Sequence, residues 1–140
     1  MQYEVELEDN IPGCPNFKWK EALSLPSWGS HAKPSLEEIE NISKTAYKME
    51  VIRALLNCPL RVTSWLRPKA YNKAIGGARR SKHIEGLAVD FQPIDMDCDK
   101  AREILLPLLP GLEIRMEDKP GSNWVHIDLG EVINSRFFKP

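Results

Sequence analysis

The chain has 140 residues, 42% hydrophobic and 28% charged, with 19 Lys and Arg against 20 Asp and Glu. That length and balance predict one globular domain with a real core, and they exclude disorder, collagen and a coiled coil. A net charge of -1 points to no polyanionic partner, and apolar runs such as Ile104 to Leu109 are too short to cross a bilayer.

The start, Met1 to Glu6, is acidic and has neither the basic nor the apolar region of a signal peptide. Synthesis in the cytoplasm is therefore expected, with any work outside reached by another export route. Cys14, Cys58 and Cys98 are odd in number and widely spaced, and read as reduced thiols. Residues 1–34 are expected to be irregular, because 10–34 are rich in turn formers. Within them Phe17, Trp19, Ala22 and Leu23 suggest a short helix or an anchored loop.

Ser35 and Glu38 form a capping box, and Leu36, Ile39, Ile42, Ala46, Met49, Ile52 and Leu56 recur at helical spacing. This predicts a long helix over 35–57, ended by Asn57 and Pro59. Leu60 to Ser64 alternates and reads as a strand. Pro68 to Ile75 reads as a helical turn, stopped by Gly76 and Gly77. Leu87 to Phe91 is the next strand. Asp97 or Asp99 caps a second helix, which Pro107 kinks or ends. Leu112 to Met116, Trp124 to Leu129 and Val132 to Phe138 are further strands. The pattern is α+β, with helices flanking a small antiparallel sheet.

The chemistry concentrates in Ser81 to Asp90 and Asn123 to Asp128. Two histidines and an aspartate suit Zn²⁺, and three protein ligands leave a fourth position for water. In 124–128 the side chains of Trp124, His126 and Asp128 share one strand face, and Asp90 projects opposite Leu87, Val89 and Phe91. Two adjacent antiparallel strands would thus present Asp90 and His126 together, with His83 arriving from the preceding loop. The alternative is a loop His83 and a His126 satisfied by ordinary hydrogen bonds. His31 reads as a solvated histidine.

Ser-x-His-x-x-Gly-x-Ala-x-Asp, present as Ser81 to Asp90, followed by Trp124-Val125-His126-Ile127-Asp128, resembles the signature of M15-type zinc peptidases. These are D-alanyl-D-alanine carboxypeptidases and related peptidoglycan endopeptidases, with a fold shared by the hedgehog signalling domain. Arg61 to Pro68, Tyr71-Asn72 and Ile75 to Ala78 extend the similarity upstream, as do Phe17 to Leu23 and the helix from Ser35. The resemblance implies a single zinc peptidase domain over 1–140, with its zinc-site core in 60–130.

It implies further that His83, Asp90 and His126 bind zinc and that Arg67 steadies the oxyanion. Ser81, Asn123 and Trp124 are expected at the substrate. For Arg67 the other reading is a surface cation, for Ser81 a loop cap, for Trp124 core packing, a choice that Trp65 shares. Gly86 and Ala88 are small, which would let backbone and substrate approach the metal. Many members carry a carboxylate three residues before the second zinc histidine as general base. Here that position is Asn123, which takes no proton at ordinary pH. Asp128 is expected to serve instead, its other reading being a partner that orients a ligand. Glu117 and Asp118 stand in reserve.

The expected function is zinc-dependent hydrolysis of an amide bond in peptidoglycan stem peptides or crosslinks, by a phage-encoded or bacterial wall-degrading enzyme acting as a monomer. The alternative is a non-catalytic, zinc-containing peptidoglycan-binding or virion structural module on the same fold. No membrane and no nucleic acid are expected as partners. The carboxylate-free basic stretch between Arg61 and Lys82 is interrupted by an apolar turn, and the net charge is near zero. Arg79, Arg80 and Lys82 meet anionic wall groups or are simply solvated.

Overall fold

The computed structural model describes residues 3–140; Met1 and Gln2, the start of the acidic stretch, lie outside them. The turn-rich N-terminal segment is held by its apolar residues. Ile11, Phe17, Trp19, Ala22, Leu23 and Leu25 are all buried, and the Phe17 ring meets Trp65 edge-on at 6.2 Å. They lie on or beside a one-turn helix, α1 (Trp19–Leu23), and a short hairpin of β1 (Ser24–Leu25) and β2 (Ser30–His31). The short helix expected from Phe17 to Leu23 is α1, held because burial of a few large side chains outweighs the turn propensity of their neighbours.

Helix α2 (Leu36–Leu56) starts at the capping box, with the Ser35 hydroxyl accepting from Glu38 N and Glu38 accepting from Ser35 N. It ends where Asn57 turns left-handed at φ 53°. Ile42, Ala46, Met49 and Ile52 are fully buried, each worth about 1.5–3 kcal/mol if large. Leu36 and Leu55 are exposed, Leu36 because it occupies the first helical position.

A five-stranded sheet packs under this helix, in the order β3 (Leu60–Ser64), β4 (Ala88–Pro93), β6 (Val125–Asp128), β5 (Arg115–Glu117), β7 (Phe137–Phe138). Every pairing is antiparallel except β5 with β7. Between β3 and β4 lies α3 (Lys69–Ala74); between β4 and β5 lie α4 (Cys98–Leu105) and α5 (Leu109–Leu112). Asp97 is the α4 cap, accepting from Asp99 N. Buried apolar side chains from Ile11 to Ile127 form one continuous core. Cys14, Cys58 and Cys98 are free thiols.

Three sequence-based boundaries move. Leu112 closes α5 rather than opening a strand, because Glu113 is left-handed at φ 57° and resets the chain direction. Residues 132–136 are not strand; only Phe137 and Phe138 pair. Strand β4 starts at Ala88 and runs on to Pro93, paired with Leu60 on β3. Among the described residues no helix is long and apolar enough to cross a membrane.

Candidate metal centre

Asp90 on β4 and His126 on β6 are direct cross-strand partners, so alternation on two adjacent strands brings them to one face. His83 arrives from the 3-10 turn Lys82–Glu85, whose start is capped by the Ser81 hydroxyl accepting from His83 N. Arg67 N donates to His83 O at 2.8 Å and fixes that turn against the end of β3. Gly86 then adopts φ 78°, and its carbonyl accepts from Thr45 and from the Trp65 indole. One potential ligand atom from each of His83, Asp90 and His126 lies within 4.8 Å of the others.

Hydrogen bonds settle which nitrogen of each ring faces inward. His83 Nδ1 lies 2.7 Å from the Trp65 carbonyl, which only accepts, so Nδ1 carries the proton. His83 Nε2 is buried and has no hydrogen-bond partner, although it lies 3.2 Å from Asp90 Oδ1. His126 Nε2 is 2.8 Å from Asp128 Oδ2, which leaves its Nδ1 toward Asp90 Oδ1, also at 2.8 Å.

Burial pushes the His83 pKa down, only partly opposed by Asp90, so the ring is neutral at pH 7. Burial works against the charge on Asp90 too, but hydrogen bonds from His126 and His83 outweigh it and hold the carboxyl far below its usual range. The same contest on His126 ends the other way from His83. Burial disfavours its charge, yet the bonds to Asp128 and Asp90 raise its pKa to about 9. A neutral imidazole lone pair therefore faces a carboxylate lone pair in a buried pocket. That arrangement is repulsive unless a cation lies between them, and two imidazoles plus one carboxylate are a donor set that fits Zn²⁺.

Arg67 is anchored at three points. Its guanidinium donates to Ser64 Oγ at 2.8 Å, Asn72 Oδ1 at 3.4 Å and Asp90 Oδ2 at 3.2 Å. A bulge between Val62 and Ser64 turns Ser64 toward Asp90, which puts this hydroxyl in reach. Two of the five guanidinium N–H groups stay free. The loop above approaches so closely that a Cβ on Gly77 would meet Asn72 Oδ1 at 2.0 Å and an Arg67 nitrogen at 3.2 Å. Any side chain there would displace the Asn72 amide that accepts from Arg67.

The model of the family described as peptidase M15 matches residues 18–128. The chain belongs to the peptidase M15 family. No curated protein matches it.

In this M15 chain a cavity of about 470 Å³ opens over the three candidate ligands, lined also by Arg67, Ser81, Glu117 and Trp124. Asp128 is not in that lining. Its carboxylate accepts from Arg115 at 2.7 and 3.0 Å, from Gly130 N at 2.9 Å and from His126. Asn123 uses its carbonyl to accept from Gln92 and faces a second cavity. Trp124 lines both cavities, with Lys119 Nζ 4.7 Å from its ring centre. Trp65 is core, and reaches the site only through its carbonyl.

Gly86 faces α2 and not the candidate ligands, since a Cβ there would meet Ile42 at 3.1 Å; its role is helix–loop contact. Lys82 pairs with Glu85, Asp118 pairs with Lys139, and His31 is exposed on β2. Sequence reasoning gave no role to Arg115, Asn72 or Ser64. Arg115 becomes visible only when β5 is paired with β6 in the register Arg115↔Asp128.

Proposed function

We propose that this peptidase is zinc-dependent and hydrolyses an amide bond in peptidoglycan stem peptides or crosslinks. The observation that carries the zinc is the unpartnered, buried His83 Nε2 set against Asp90 Oδ1 beside His126. The wall substrate rests on the motif resemblance of Arg61 to Asp90 and Trp124 to Asp128. When bound, zinc lowers the pKa of a water and draws electron density from the carbonyl under attack.

The chain's own residues supply the rest. Arg67 lines the cavity and keeps two N–H groups free for the negative charge that develops on the carbonyl oxygen; such donors contribute a few kcal/mol. Glu117 is the proton carrier. Among the described residues it is the one acidic side chain besides Asp90 in the cavity lining, and it has no ion pair. Its carboxylate takes a proton from the attacking water and passes it to the nitrogen as the C–N bond breaks. Asp128, held by Arg115, orients His126 instead of exchanging protons with substrate.

Metal analysis paired with digestion of purified peptidoglycan tests the reading. About one zinc per chain and new amine termini in products identified by mass are expected. Full zinc retention in both His83→Ala and His126→Ala would remove the site. Zinc-loaded protein that cuts no wall substrate would leave a binding module.

A further inference from the structure

A cavity of about 600 Å³ adjoins the one over the candidate ligands, and Gly77 lines both. Asn72 ties them together, since it lines the larger cavity, accepts from Arg67 and donates to Ala78 O. The rest of the larger wall is Lys69 and Lys73 of α3, Arg79 and Ile84.

Lys69 and Lys73 stand one helical turn apart on α3, where like charges repel, and Arg79 adds a third positive charge. No acidic side chain lines this cavity. Among the described residues none of the three cations makes an ion pair, whereas Lys82 close by in sequence is paired with Glu85. A cleft lined by one sign of charge concentrates the opposite sign, and a bound anion would relieve the repulsion among the three.

Size and chemistry narrow the anion. A volume of about 600 Å³ suits a molecule of many atoms and is far more than one carboxylate fills. Two of the three cations are lysines, which hold phosphate oxygens as point charges, whereas a planar carboxylate is best met by the fork of an arginine. No aromatic ring lines the cavity for a base to stack on, and the Asn72 amide is already committed at both its oxygen and its nitrogen.

We propose that Lys69, Lys73 and Arg79 form a binding site for a flexible phosphodiester polymer without bases, a polyol phosphate chain, beside the metal cavity. Ile84 offers carbon surface to the polyol links between phosphates. The site needs no zinc and no bond cleavage, so it stands or falls apart from the peptidase reading.

Fluorescence anisotropy of a labelled glycerol phosphate oligomer, titrated with zinc-loaded full chain, tests it. Binding at low salt should weaken with a slope of about -2 in log K against log salt, about 0.7 for each of three cations on a flexible strand. Lys69→Gln, Lys73→Gln and Arg79→Gln combined should weaken binding at least tenfold and flatten the slope toward zero. Lys33→Gln, Lys44→Gln and Lys100→Gln combined remove the same charge at exposed positions outside the cavity, and should change binding little. Equal losses in the two triple variants, or no binding by wild type, overturn the site. Tighter binding of a thymidylate oligomer or of polyglutamate with the same number of charges overturns the polyol phosphate assignment, in favour of a nucleic acid or an acidic peptide respectively.

Discussion

Arg115 and Asp128 face each other across β5 and β6 and are joined by two hydrogen bonds of 2.7 and 3.0 Å. Burial alone would raise the Asp128 pKa, but bonds from His126 and Arg115 overcome it and hold the carboxyl below its usual value. A carboxylate so committed is a poor proton acceptor and a good anchor for His126 Nε2. Asp128→Asn is therefore expected to weaken zinc retention about 10–100-fold, the usual cost of losing a group that orients a metal-binding histidine. Competition with a chelator measures it. An Asp128→Asn chain that keeps zinc at wild-type affinity yet is inactive would return the proton-transfer role to Asp128.

Glu117 should behave in the opposite way. It sits in the cavity lining without an ion pair, so Glu117→Gln leaves the ligand cluster intact. Zinc content is expected to stay at wild-type level while turnover falls about 10²–10⁴-fold, the range for general acid–base catalysis. Asp118→Asn, whose partner is Lys139, should change turnover little. The contrast is read from kcat at equal zinc occupancy.

The candidate ligands were legible because their signal is local. Ser81 to Asp90 is contiguous, and alternation alone sets Asp90 and His126 on the polar sides of their strands. Helix α2 was legible for a similar reason, with its cap and apolar stripe lying within one segment. Glu117 and Arg115 were half legible. Ile114 and Met116 are fully buried, so parity alone puts Arg115 and Glu117 on the opposite face. What parity lacks is the partner strand: Arg115 meets Asp128 thirteen residues on, across a loop whose course no local pattern reveals. The anchoring of Arg67 by Ser64 was hidden likewise, because it depends on the bulge at the end of β3.

Phe138 on β7 touches the same relay from outside the family match of residues 18–128. Its ring centre is 4.3 Å from the Arg115 guanidinium carbon and 6.0 Å from the His126 ring, which it meets at 84°. A cation held on an aromatic face contributes about 0.5–2 kcal/mol. Phe138→Ala is expected to weaken zinc binding several-fold and to alter the visible spectrum of the Co²⁺-substituted chain. Phe138→Tyr should restore both and Phe138→Leu neither, because leucine fills space without offering a π-face. Rescue by leucine would reduce Phe138 to packing.

Zinc uptake itself should carry a proton signature. In the metal-free chain burial opposes the charge on His126, but Asp128 and Asp90 keep its pKa at about 9, so the ring holds two protons at pH 7. His126 would offer its Nδ1 lone pair to the metal while Nε2–H stays with Asp128, so binding would require one proton to leave. Calorimetry at pH 7 in buffers of different ionisation enthalpy should therefore show about one proton released per zinc. Apparent affinity should rise about tenfold per pH unit up to about 9 and flatten above it. The stability of the metal-free chain runs the other way. A histidine whose pKa is higher folded than unfolded stabilises fully below the unfolded value of 6.5, and that contribution is lost as pH rises through the folded value. The Tm of the metal-free chain should thus fall between pH 6.5 and 9, while the zinc-loaded chain, whose His126 no longer titrates, does not follow it. Parallel Tm curves for the two forms would mean that His126 is not the group zinc deprotonates.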